Sequence, residues 1–170
     1  MQTTTLKLHT LGYTQSRTYL LAALFVAGNL VLPQLCHLVP QGGLRWLPIY
    51  FFTLVGAYKY GWRLGLLTAL ASPLLNAALF GMPPAAALPA ILLKSVLLAL
   101  FAGWAAARFR KASLWMLLGV VLAYQGVGTL GEWALKGDLL AAAQDFRIGL
   151  PGMALQVLGG YLVINRLLRK

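Results

Sequence analysis

Residues 86–107 read AALPAILLKSVLLALFAGWAAA, apolar from end to end except for Lys94 and Ser95. Wound as a helix at about 1.5 Å per residue, a run of this length crosses the roughly 30 Å hydrocarbon core of a bilayer. Its flanks agree with that reading. Gly81-Met82-Pro83-Pro84 breaks any helix before it, and Arg108, Arg110 and Lys111 follow it as cations at a membrane edge. Of the 170 residues, 60% are hydrophobic and only 10% charged, too little polar surface to cover a water-soluble domain of this size.

Five further apolar runs flank this one. The first extends from Thr18 to about Val39 and ends at Pro40-Gln41-Gly42-Gly43, and the second goes from Trp46 to about Tyr58. The third covers Leu64 to Phe80, the fifth lies within Ser113 to Ala134, and the sixth within Ile148 to Leu168. The expected fold is an all-α integral membrane protein, a compact bundle of six transmembrane helices over 18–168 behind a cytoplasmic tail, residues 1–17. The second and third runs are short, and read either as a tilted pair turning at Lys59 and Arg63 or as a re-entrant hairpin. Snorkelling cations among the interfacial aromatics of Lys59-Tyr60-Gly61-Trp62-Arg63 favour six spans. The tail, MQTTTLKLHTLGYTQSR, has no apolar core with a small-residue cleavage site, so no removable signal peptide is expected.

The balance of 14 Lys and Arg against 3 Asp and Glu would suggest nucleic acid in a soluble protein. Here the cations lie between apolar runs and read as topology signals and headgroup contacts, with no nucleic-acid partner. One face would hold Lys7, Arg17, Lys59, Arg63, Arg108, Arg110, Lys111, Arg166, Arg169 and Lys170; the other would hold only Arg45, Lys136 and Arg147. The positive-inside rule then puts both chain ends in the cytoplasm of a bacterial or archaeal cell, with the protein in the inner membrane.

Lys94 is the residue to explain, because a charge at the centre of a bilayer costs at least about 2.5–3.5 kcal/mol on insertion scales. If the fourth and fifth runs form an antiparallel hairpin about the basic turn, Lys94 comes level with Gly128, about one turn from Glu132. Three roles stay open: an internal ion pair with Glu132 that fixes helix packing, a ligand contact, and snorkelling toward the membrane edge.

Asn29, Gln34 and His37 recur along the first run, the last two sharing a face near its outer end; Asn76, Gln125 and Gln156 lie in the third, fifth and sixth. Each alone reads as an interhelical hydrogen bond, while together they suggest a cavity open to the outside, with Trp46, Tyr50, Met82 and Trp133 as candidate walls. Cys36 and His37 are adjacent soft ligands, but neighbours on a helix point about 100° apart and rarely meet one metal. An inert buried cysteine is the default, and no metal or cofactor is expected. Ala23 and Ala27 stand four apart beside Gly28, a spacing that allows close helix approach in lipid, whether inside the bundle or against a partner. HExxH, GxSxG and GxxxxGK[ST] are absent, and the chain has too few carboxylates for an acidic dyad, so an enzyme is unsupported.

Four stretches carry a family resemblance: Leu47-Pro48-Ile49-Tyr50-Phe51-Phe52-Thr53-Leu54, Tyr58-Lys59-Tyr60-Gly61-Trp62-Arg63-Leu64-Gly65-Leu66-Leu67, Ser72-Pro73-Leu74-Leu75-Asn76 and Phe80-Gly81-Met82-Pro83. In this order they resemble the substrate-binding S components of energy-coupling factor (ECF) vitamin transporters. The resemblance covers about Ala22 to Leu168 and is strongest between Leu47 and Lys94. It implies six helices with cytoplasmic termini and high-affinity capture of a vitamin or related micronutrient at the outer face. It further implies docking onto a transmembrane coupling subunit carried by two ATPases, which alone hydrolyse ATP. Ala23 and Ala27 match the small-residue motif that S components present to the coupling subunit. For the site it implies only a location, the outer helix ends, where the candidate substrate contacts are Gln34, His37, Asn76, Lys94, Gln125 and Glu132. A second reading is a membrane assembly or scaffold protein whose small-residue faces bind other helices, with its polar groups paired inside a filled core.

Overall fold

The computed structural model describes residues 10–168, with side chains to residue 166. Among the described residues there is no strand. The helices are α1 (Ser16–Cys36), α2 (Gly42–Trp46), α3 (Phe51–Tyr60), α4 (Trp62–Phe80), α5 (Leu88–Phe109), α6 (Leu114–Lys136), α7 (Leu139–Ala142), α8 (Gln144–Ile148) and α9 (Leu150–Leu168). Helices α1, α4, α5 and α6 are long and apolar enough to cross a membrane, consistent with a multi-pass membrane protein. Their outward faces carry Leu20, Leu24, Leu35, Leu74, Trp104, Leu130 and similar side chains that water would reject and lipid accepts.

The second apolar run departs from a single helix starting at Trp46. Leu47 adopts the left-handed region at φ +45°, and Pro48 then opens one 3-10 turn, Pro48–Tyr50, before α3 begins. A proline has no N–H to continue a preceding helix, so the chain restarts there. The third run begins two residues earlier than expected: α3 and α4 are separated only by Gly61, at φ +95°, where a side chain would be strained. The sixth run lies within its expected bounds, as α9 from Leu150 to Leu168, after Gly149 ends α8.

Helix α3 is the axis of the bundle. It packs against α1, α4, α5 and α9, and Leu54, Val55, Ala57 and Tyr58 are fully buried on it. Helix α9 runs parallel to it, Gly152 backing onto Trp46, Gly159 onto Phe51 and Gly160 onto Leu54. The Tyr60 carbonyl at the end of α3 accepts the Leu11 N–H at 3.2 Å, and the Tyr58 hydroxyl donates to the Lys111 carbonyl. The start of α1, the α3–α4 turn, the α5–α6 turn and the end of α9 therefore share one end of the bundle. Among the described residues, Arg17, Lys59, Arg63, Arg108, Arg110, Lys111 and Arg166 gather there. Lys7, Arg169 and Lys170 of the charge count lie outside the described residues.

Candidate functional site

The opposite end, where α1 gives way to α2 and α6 to α7 and α8, holds the polar groups. Its centre is Lys94, in the first half of α5 and 2% exposed. The expected hairpin register holds: a Cβ on Gly128 would stand 2.5 Å from Lys94 Cγ, so only glycine at that point of α6 admits the lysine stem. One turn on, Lys94 Nζ donates to Glu132 Oε2 at 2.6 Å, and Lys136 Nζ holds the other oxygen, Oε1, at 2.6 Å. A second carboxylate completes the set: Lys94 Nζ also donates to Asp145 Oδ2 at 2.7 Å, from the five-residue helix α8. Two cations and two anions form a neutral group, the condition under which ions persist inside apolar surroundings.

This group borders a small cavity of about 140 Å³ that Tyr50, Gln144 and Lys136 also line. Beside it is a larger apolar cavity of about 390 Å³, and Gly43, Leu44, Ile49, Ala87 and Ile91 form walls of both. The larger cavity is closed by Pro33, Gln34 and His37 of the first helix and its end, by Pro48, and by Asn76 and Met82-Pro83-Pro84. Between them the two spaces offer a long apolar chamber with one charged end, the usual form of a small-molecule site.

The candidate residues divide. Gln34, His37 and Asn76 line the larger cavity, and Lys94 and Glu132 the smaller. Gln34 Nε2 is buried without a hydrogen-bond partner. The His37 Nδ1–H donates to the Pro33 carbonyl at 2.6 Å, which leaves Nε2 beside Gly43, another wall residue. Asn76 is first of all a structural residue. Pro33 has no N–H for the carbonyl four residues back, that of Asn29, and Asn76 Nδ2 donates to that oxygen at 2.9 Å and to the Ser72 carbonyl at 3.1 Å. Gln125 lines neither cavity; it is fully buried between helices with neither side-chain polar atom partnered.

Of the proposed walls, Tyr50 and Met82 contribute, whereas Trp46 and Trp133 point outward. Cys36 is half-buried and lines neither space. Among the described residues no three His, Cys, Asp or Glu side chains gather as metal donors. Ala23 and Ala27 lie on the exposed face of α1 with Leu20 and Leu24.

Asp145 is the residue that sequence reasoning missed. A signal existed: the chain has three acidic residues, so a buried lysine has very few possible counter-ions. Asp138 is the third, and its Oδ1 caps α7 by accepting the N–H groups of Leu140 and Ala141. No protein-family model, curated protein or solved structure matches this chain.

Proposed function

We propose that this chain is the membrane-embedded solute-binding subunit of an importer of the ECF type, capturing a vitamin-like micronutrient at the outer face. The observation that carries this reading is the apolar chamber with a charged end, walled by Gln34, His37, Lys94 and Glu132. A scaffold needs its polar groups paired in a filled core; here Lys94 is paired, but beside open space. The pairing is the one observation that favours the scaffold alternative.

The rest of the reading follows from the positive-inside rule and the family resemblance. The basic end of the bundle faces the cytoplasm of a bacterial or archaeal inner membrane, and the chamber faces outward. Six spans are α1, the Pro48–Tyr60 segment, α4, α5, α6 and α9, with both chain ends inside. The exposed Ala23 and Ala27 permit close approach by a helix of the coupling subunit. Energy comes from two ATPase subunits on that partner, and the chain itself catalyses nothing.

Native mass spectrometry of the gently purified protein from cells in rich medium tests the reading. A small molecule carried through purification and lost in Lys94→Ala is the expected result. Empty protein, with no thermal shift across a vitamin panel, supports the scaffold instead.

A further inference from the structure

The charged compartment contains an unequal quartet. Lys94 and Glu132 are fixed: both sit on long helices, the Lys94 stem is seated in the notch left by Gly128, and Glu132 is held by two lysines. Asp145 is held differently. It belongs to α8, five residues long, in the connection between α6 and α9, and its side chain is the most exposed of the three, 14% against 9% for Glu132 and 2% for Lys94. The group free to leave is thus a carboxylate, and what it leaves behind is the hydrogen-bonding position of a carboxylate on Lys94.

We propose that Asp145 holds the position on Lys94 that a ligand's carboxylate takes. The ligand is an amphiphilic monoanion whose carboxylate replaces Asp145 on Lys94 while its apolar body fills the larger cavity. This rests on the solute-binding reading above and specifies its substrate class.

Charge balance selects the ligand. Exchanging one carboxylate for another keeps two cations against two anions around Lys94 and Lys136. A cationic ligand adds net charge to the compartment or displaces Lys94 from its partners, and a buried ion without a partner is strongly unfavourable. A phosphate monoester brings close to two charges and overshoots the balance. Ala87, Ile49 and Ile91 line both the charged cavity and the larger one, so the body attached to the carboxylate is apolar. Released Asp145 moves toward solvent with α8, and binding loosens the connection rather than closing it.

The full chain in lipid nanodiscs is titrated with 4-phenylbutyrate, 4-phenylbutanol and 4-phenylbutylamine, probes that differ only in the terminal group. The acid is expected to bind about tenfold tighter than the alcohol, which is a difference of about 1.4 kcal/mol, with the amine weakest. Asp145→Asn removes the competing charge, and is expected to tighten the acid about tenfold more than it tightens the alcohol. In the unaltered chain, amide hydrogen exchange across 139–148 rises when the acid binds. Acid and alcohol binding equally, or exchange falling across 139–148, overturns the replacement of Asp145 and leaves the solute-binding reading standing. Failure of all three probes to bind overturns both. If Asp145→Asn does not fold, the exchange measurement on the unaltered chain decides alone.

Discussion

Two groups of buried polar side chains occupy opposite halves of the bundle, and they are built on different terms. Between α1, α3 and α4, Asn29 Nδ2 donates to Thr53 Oγ1 at 3.1 Å and Ser72 Oγ at 3.0 Å, and its Oδ1 accepts the Phe52 N–H. Asn76 adds a bond back to the Asn29 carbonyl. Between α5, α6 and α9, Ser95 Oγ, Thr129 Oγ1, Gln156 Nε2 and both polar atoms of Gln125 are buried with no partner. In that second group Gln156 Oε1 accepts the Tyr124 hydroxyl at 2.8 Å. An unpartnered buried donor or acceptor costs about 1–3 kcal/mol, so the second half gives up more stability than the first, where among the described residues Gln34 Nε2, beside the larger cavity, is the one buried side-chain atom left unpartnered. The difference teaches which polar residues to read as packing and which to suspect of function: the saturated set holds three helices in register, and the unsaturated set lies on the helices that carry Lys94 and Glu132.

Substitutions sharpen that contrast, and the largest effect belongs to the ion group. Lys94→Met strips one cation from Glu132 and Asp145, and is expected to destabilise the protein by about 3–5 kcal/mol in a denaturant titration in detergent micelles. Adding Glu132→Gln and Asp145→Asn to it recovers most of the loss, because neutral residues need no counter-ion. Little recovery in the triple variant would show that packing by the lysine stem, not charge pairing, holds the helices together. Next comes Asn29→Leu, which breaks three hydrogen bonds and strands the Phe52 N–H; about 1–3 kcal/mol is expected, read from the same titration. Gln125→Leu is the smallest. It removes two unpartnered polar atoms from a buried site, so stability stays within about 0.5 kcal/mol or rises. A loss above about 1 kcal/mol would mean that Gln125 is held by bonds as firmly as Asn29 is, and the contrast between the halves would fail.

Much of this arrangement could be read from the sequence where the geometry is local. The hairpin about Arg108, Arg110 and Lys111 sets α5 against α6, and counting back from it brought Lys94 level with Gly128 and within reach of Glu132. Asp145 was illegible by the same count, because it returns to Lys94 through two short helices whose path no periodicity encodes. Asn76 misled for a different reason. It does line the cavity, but its amide answers a defect on another helix, the carbonyl orphaned by Pro33, and pairing of that kind becomes visible only when α1 and α4 are placed side by side. The break at Leu47 had a signal in Pro48, which stands inside the second apolar run and cannot continue a preceding helix.

That break has a consequence for size. Ten residues of α3 rise about 15 Å, half the thickness of a bilayer core. Before its first turn stands only the single 3-10 turn Pro48–Tyr50, and Pro48, Ile49 and Tyr50 line the two cavities from that point. The chamber is therefore the unfilled length of the axial helix, and its floor is wherever that helix begins. Starting α3 one turn earlier would raise the floor by about 5.4 Å, and starting it later would lower it, so the depth of the two cavities follows the position of one proline.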